Sequence, residues 1–304
     1  STTHDVLGWD EPVDYSPLYS VSGMNSGYMA TKMLYDNLTN FGGYGVEDPR
    51  ADKILPWAYS PNAAEGEYKL KDGWRRTLGV DMVSQASPSL VNGPIRASYS
   101  AEKKWFIETE LPERMGDTIY VEATSSSKGY AANRDLLYRR SNVLTGAAGE
   151  DVLTAAESGT YYTRVSSPTY LGTYAEACLI KAEVLFNSGD KNGAFAAYKE
   201  GIKSSIEQMN IKLNLWCNED AGLKACPSFT PMAQADIDNF LANGIGSAAD
   251  LTLGHILTQK RIALNFSVEI WNDMRRYDFN PELFFGWGIP ALHDVNATAL
   301  KGIP

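Results

Sequence analysis

At 304 residues and 44% hydrophobic composition, the chain can bury a large core in one large or two modest domains. Its net charge of −10, with no basic stripe to offset it, argues against nucleic acid as the main partner. No apolar run approaches the roughly 18 residues of a membrane span, and the three histidines (His4, His255, His293) and three cysteines show no metal-ligand spacing.

Taken in order, residues 1–20 carry no period and are broken by Pro12 and Pro17. Asn25 or Ser26 is placed to cap a short helix running to about Leu38, with Met29, Met33, Leu34 and Leu38 available for burial. Glycines in FGGYG then turn the chain, and Asp48-Pro49-Arg50 stops the preceding structure. From Ile54 to about Thr169 the sequence is loop-rich and studded with aromatics. Within it Asp117–Ala123 reads as a short strand in a minor β hairpin, and SSSKGYAANRD as a surface loop.

At Thr173 the pattern becomes helical. Tyr174, Cys178, Ala182, Leu185 and Phe186 make one face, and Asn187-Ser188-Gly189 ends it. Asp190 caps a second helix with Ala194, Tyr198, Ile202, Ile206 and Met209 on its face. Ala182, Ala194, Tyr198 and Gly201 fall at the offsets of a single tetratricopeptide repeat, where small residues let two helices approach. Asp190-Lys191-Asn192-Gly193 opens like a calcium loop, but the following residues lack the remaining ligands, so a helix cap is the better reading. Ile211–Cys217 alternates apolar and polar, which suggests a short extended segment, and Asp236–Leu241 a further helical turn or two.

Asp250–Tyr277 reads as one amphipathic helix of about seven turns, or two that abut near Asn265. Leu253, Ile256, Leu257, Leu264, Val268, Trp271 and Met274 form its apolar face. Asp250 or Thr252 caps it, and Arg275 and Arg276 suit the dipole of its last turn. Phe284-Phe285-Gly286-Trp287-Gly288 follows as an aromatic tail, with loop to Pro304.

Signatures of nucleophilic, phosphate-binding, dinucleotide-binding and zinc-dependent enzymes do not occur. No catalytic residue, metal or cofactor is therefore expected. Glu183 and Glu269 sit in apolar helix faces and are expected to pair with Arg261, Arg275 or Arg276 of a neighbouring helix. Cys178 is expected to be a buried thiol. Cys217 and Cys226 flank NEDAGLKA, and a small disulfide between them in an exported chain stays open.

TQKRIALNFSVEIWNDMRRYDF resembles the C-terminal signature of the SusD/RagB nutrient-binding outer-membrane lipoproteins, an I-x-TQK-x-IAL helix leading into E-x-W-x-x-x-RR. Glu176, Ala182 and Glu183 in YAEACLIKAEVLFNSGD match a second motif, AYKEGI a follow-on, and DIDNFLANG a short helix before the signature. Asp48-Pro49-Arg50, and in part Ser16-Pro17-Leu18, match landmarks nearer the start. The resemblance implies a mainly α, tetratricopeptide-containing SusD-like body with long ligand-binding loops and a minor β hairpin. It implies one domain over 1–304, loop-rich over 15–170 and helical over 173–280, incomplete at both ends as the trimmed C-terminal part of a longer protein.

By the same resemblance the protein is a non-enzymatic binder on the bacterial outer-membrane surface, held by a lipid anchor that this chain lacks. It lies over a SusC-like TonB-dependent transporter and delivers glycans or, in some branches, peptides. Sugar rings stack their C–H faces on aromatic planes, so the loop aromatics Tyr44, Trp57, Trp74 and Trp287 are the candidate ligand residues, although no family motif maps onto them. A peptide-binding member and a glycoside hydrolase are the alternatives; a carboxylate pair facing one cleft would mark the latter.

Overall fold

The computed structural model describes residues 6–9, 30–55, 57–59, 70–71, 74–76, 95–100, 104–109, 118–121, 160–164 and 167–288, with backbone alone for 6–9 and for the segments between 57 and 121. His4, His293, Asn25, Ser26, Met29, Ser16–Leu18 and the SSSKGYAANRD segment lie outside them. The chain is mainly α, as expected. Among the described residues no helix is long and apolar enough to cross a membrane.

Strand β1 (Val6–Trp9) pairs antiparallel with β8 (Thr169–Thr173), with a register shift between Leu7 and Gly8. The N-terminal stretch is too short to show a period, and its partner lies far along the chain, so the strand is invisible to local pattern. Helix α1 (Lys32–Thr39) starts at Thr31, whose hydroxyl accepts the Leu34 N–H. A 3-10 turn (Phe41–Gly43) and the one-turn α2 (Ala51–Ile54) follow.

The stretch expected to be loop-rich with one hairpin holds two small sheets. In one, β2 (Trp57–Tyr59), β3 (Leu70–Lys71) and β4 (Trp74–Arg76) take the order β2-β4-β3. In the other, β5 (Ile95–Ser100), β6 (Lys104–Thr109) and β7 (Thr118–Val121) form an antiparallel meander, which contains the strand read from DTIYVEA.

The body is a helical hairpin, α3 (Tyr174–Asn187) and α4 (Lys191–Glu219). The turn between them is built from three residues. At the end of α3 the Asp190 N–H reaches the Leu185 carbonyl and the Gly189 N–H the Phe186 carbonyl. This is the left-handed helix stop in which glycine is favoured, and Gly189 adopts φ 89°. Asp190 then caps α4 by accepting the Gly193 N–H at 2.9 Å, as the sequence reading preferred over a calcium loop. At the crossing Ala182, Ala194, Tyr198 and Ile202 are fully shielded. Gly201 lies so close to Leu179 and the Ala175 carbonyl that a methyl group would force Leu179 aside.

Helix α4 runs through Ile211–Cys217, where an extended segment was expected. The apparent alternation covers only a few residues, whereas Ile202, Ile206, Met209, Leu213 and Trp216 recur at helical spacing and are all buried. Each such fully buried side chain contributes about 1.5–3 kcal/mol over an exposed one, which outweighs a short local pattern. A 3-10 turn (Ala221–Ala225) and α5 (Gln234–Asn243) follow. Cys178, Cys217 and Cys226 are buried and none is in a disulfide, so the bridge left open between the last two does not form here.

Asp250–Tyr277 resolves into the second of its two readings, α6 (Leu253–Ala263) and α7 (Glu269–Arg276). Thr252 caps α6 with a full capping box: its hydroxyl accepts the His255 N–H, and His255 Nδ1 accepts the Thr252 N–H. Phe266, at φ 70°, turns the chain between the helices. The break resets the helical phase, so the single face expected across it fails. Met274 is buried, but Val268 and Trp271 are 74% and 55% exposed.

Candidate functional site

Several of the residues that carried the family resemblance, Asp48, Arg50, Gln259, Lys260, Glu183 and Arg276, are joined by polar contacts inside the body. Asp48 and Arg50 form a fully buried ion pair. Arg50 Nε and Nη2 donate to the two Asp48 oxygens at 2.9 and 2.6 Å, Nη2 also donates to Gln259 at 2.6 Å, and Nη1 to Ser205 at 3.0 Å. The Asp-Pro-Arg landmark is thereby tied to the Thr258-Gln259-Lys260 signature on α6 and to the middle of α4.

A second network closes the other side. Glu183 on α3 accepts from both terminal nitrogens of Arg276, and from the Tyr277 hydroxyl at 2.6 Å. Arg276 also donates to Asp273 at 2.7 Å, and Asp273 meets Lys260 at 2.9 Å. Burial pushes the Glu183 carboxyl up, but the hydrogen bonds of Arg276 and Tyr277, with the charges of Arg276 and Lys260, hold it below the usual range. The expected pairing of Glu183 with an arginine is present. Glu269 instead is exposed and accepts from Asn272, and Arg275 is exposed. Arg261 is no one's partner among the described residues: its Nε and Nη2 are buried without a hydrogen bond, and burial pushes it down to about 10.

A cleft of about 600 Å³ opens beside the Asp48–Arg50 pair, where α2 faces the 224–239 segment. Glu47, Asp52, Lys224, Asp236 and Asn239 supply its polar groups and Pro49, Pro227 and Pro231 stiffen its walls. Lys53 holds the two walls together by donating to the Pro227 carbonyl at 2.5 Å. The lining, among the described residues, contains hydrogen-bond donors and acceptors in number but no aromatic plane. Among the described residues no group of His, Cys, Asp and Glu is arranged to hold a metal ion.

The four candidate aromatics do not converge. Tyr44 is half-buried against the main core, its ring 6.2 Å from that of His255 and its hydroxyl close against Gly246. Burial and then the Asp250 carboxylate push that hydroxyl up. Trp57 and Trp74 are brought near each other by backbone pairing: Trp57 stands opposite Arg76 and Tyr59 opposite Trp74 on neighbouring strands. Trp287 sits elsewhere, in a small cluster with Leu257, Met274 and Phe284, where its ring lies 5.9 Å from Phe279. Phe279 in turn lies 5.1 Å from Trp271. Sequence reasoning placed Trp271 in the core and passed over Phe279. The Asn265-Phe266-Ser267 break was the available signal that the face does not continue.

Comparison with curated proteins and with solved structures finds no match. A family model, SusD-like, described as "Starch-binding associating with outer membrane", matches residues 118–296, more than half of the chain. That stretch contains both signature helices, the α3–α4 hairpin and the Glu183–Arg276 network, and the chain belongs to this SusD-like family.

Proposed function

We propose that the chain is the glycan-binding part of a nutrient-uptake protein at the bacterial outer-membrane surface, capturing oligosaccharide and passing it to a SusC-like TonB-dependent transporter. The membership over residues 118–296, in a family described by starch binding at the outer membrane, carries this reading. In this reading the α3–α4 hairpin is one tetratricopeptide unit of a single domain. A lipid anchor on the complete protein holds it to the membrane, and no bond is broken.

The paired polar signature residues act as a clamp. Asp48, Arg50, Gln259, Glu183 and Arg276 are engaged with one another, so their chemistry is spent on holding α3, α4, α6 and α7 together. Ligand contact falls to other surfaces, for which Tyr44, Trp57, Trp74 and Trp287 stay the candidates. The peptide-carrying alternative has one observation in its favour: the cleft beside Asp48 offers carboxylates, an amide and a lysine instead of an aromatic plane.

The deciding experiment is calorimetry of the protein against soluble starch, other polysaccharides and oligopeptides, with product analysis after long incubation. Saturable polysaccharide binding with unchanged chain length supports the reading. Saturable binding of oligopeptides alone moves the cargo to peptides. Shortened glycan products refute the binding role in favour of a hydrolase.

A further inference from the structure

We infer that Trp271, Phe279 and Trp287 form a surface site that stacks the pyranose rings of a glycan chain. The inference rests on the glycan-binding reading and locates it on the α7 side of the body.

Three independent features meet there. Trp271 is 55% exposed although it carries more apolar area than any neighbour on α7, so it gains little from the core. The rings run in sequence, Trp271 to Phe279 at 5.1 Å and Phe279 to Trp287 at 5.9 Å, tilted by 60° and 36°. The backbone that sets the middle ring is strained: Phe279, following Asp278 at the same angle, adopts φ 52°, where residues other than Gly, Asn and Asp are rare.

The local chain shows how the strain is held. The Phe279 N–H donates to the Met274 carbonyl at 2.8 Å and the Asp278 N–H to the Arg275 carbonyl at 3.1 Å. This is the same left-handed helix stop that Gly189 makes after α3, built here without glycine. Met274, Leu257 and Phe284 pack beneath Phe279 and Trp287 and fix these two rings from below.

Pyranoses fit this surface better than a broad protein partner does. Arg275, one helical turn from Trp271, and Asp278, beside Phe279, are both exposed, as are Glu269 and Asn272. The apolar strip is therefore narrow and edged by groups that bind hydroxyls, whereas a protein interface core is depleted of charge. Axial C–H bonds of a sugar meet the electron-rich ring faces, while the rim takes its hydroxyls. All three rings lie inside the stretch that matches the starch-binding family.

The test is affinity electrophoresis in gels cast with soluble starch, or with whichever polysaccharide the wild type binds, using Trp271→Phe and Trp271→Leu. Both replacements keep an apolar side chain, but only the first keeps a ring. Trp271→Phe is expected to stay near the wild type and Trp271→Leu to lose on the order of tenfold in affinity at an unchanged denaturation midpoint. A double Trp271→Leu/Trp287→Leu variant should lose more. If the wild type is retained and both Leu variants are retained equally, the site is overturned while the glycan-binding reading stands. Equal retention with weakened co-purification of the transporter reassigns the row to docking and also overturns it. If no polysaccharide retains the wild type, the function and the site fail together.

Discussion

Replacing Arg50 by methionine should be among the most damaging single changes in the body. The substitution keeps an unbranched apolar stem but removes every donor of the guanidinium. It leaves Asp48, fully buried, without its countercharge, and leaves Gln259 and Ser205 without the partners they hold at 2.6 and 3.0 Å. Breaking a buried pair from one side costs about 3–5 kcal/mol, because the remaining charge is stranded in a medium that solvates it poorly. Set against a typical total of about 5–15 kcal/mol, this is at least about a fifth of the stability. Urea denaturation followed by circular dichroism reads it as a lower midpoint at unchanged slope. The double variant Arg50→Met/Asp48→Leu should recover much of the loss, since neither charge is then stranded. A single-variant cost below about 1 kcal/mol, the range of an exposed pair, would refute the reasoning.

Three further outcomes follow from the same geometry. The folded-state value of Glu183 lies below its ordinary 4.5, so its stabilisation is complete above that pH and is lost as acid takes the pH down through the folded value. Glu183→Gln should flatten the stability profile below pH 4.5 in denaturant titrations, and an unchanged acid limb would count against the Arg276 bonds as its source. Asp278→Gly should stabilise the protein by up to about 1 kcal/mol, because glycine adopts the left-handed conformation without penalty; a lower denaturation midpoint would show that Asp278 makes a compensating contact. Burial holds His255 below its ordinary 6.5, opposed by the Asp250 bond and charge, so its contribution is present above that value and fades as the pH falls below it. Amide protection factors in the first turn of α6, with the intrinsic pH dependence of exchange divided out, should fall on acidification through this range, and Thr252→Ala, which costs about 1 kcal/mol, should lower them at neutral pH as well.

Much of the helical body was legible because its signals are local. Asp190 and Thr252 act as the caps their positions suggest, and Ala182, Ala194 and Gly201 mark a helix crossing whatever the rest of the chain does. What misled was pattern over too short or too long a window. Seven residues of alternation at Ile211–Cys217 lost to a helical period spanning the whole of α4, and a single face carried from Leu253 to Met274 ignored a break that one left-handed residue, Phe266, is enough to make. Pairings across long separations, such as β1 with β8 or Arg50 with Gln259, leave no trace in spacing. Of the candidate site, the aromatic residue types were legible but not their grouping. Trp57 and Trp74 share a sheet, Tyr44 faces the core, and Trp287 meets Phe279, which in turn meets Trp271.

The split between recognisable residues and binding residues has a physical origin. A buried ion pair such as Asp48–Arg50 tolerates few single replacements, because each partner's loss strands the other, and loss of Arg50 also leaves Gln259 and Ser205 without their donor. The Glu183–Arg276–Asp273–Lys260 chain is constrained in the same way, each member holding two helices at once. An exposed ring such as Trp271 carries little stability, so a change there alters what the surface holds without altering the fold. A body clamped by the first kind of residue can therefore present very different surfaces of the second kind. The clamp residues of the motif are for this reason silent about the ligand, and cargo has to be read from the aromatic and polar groups that the clamp leaves free, Trp271 of the same motif among them.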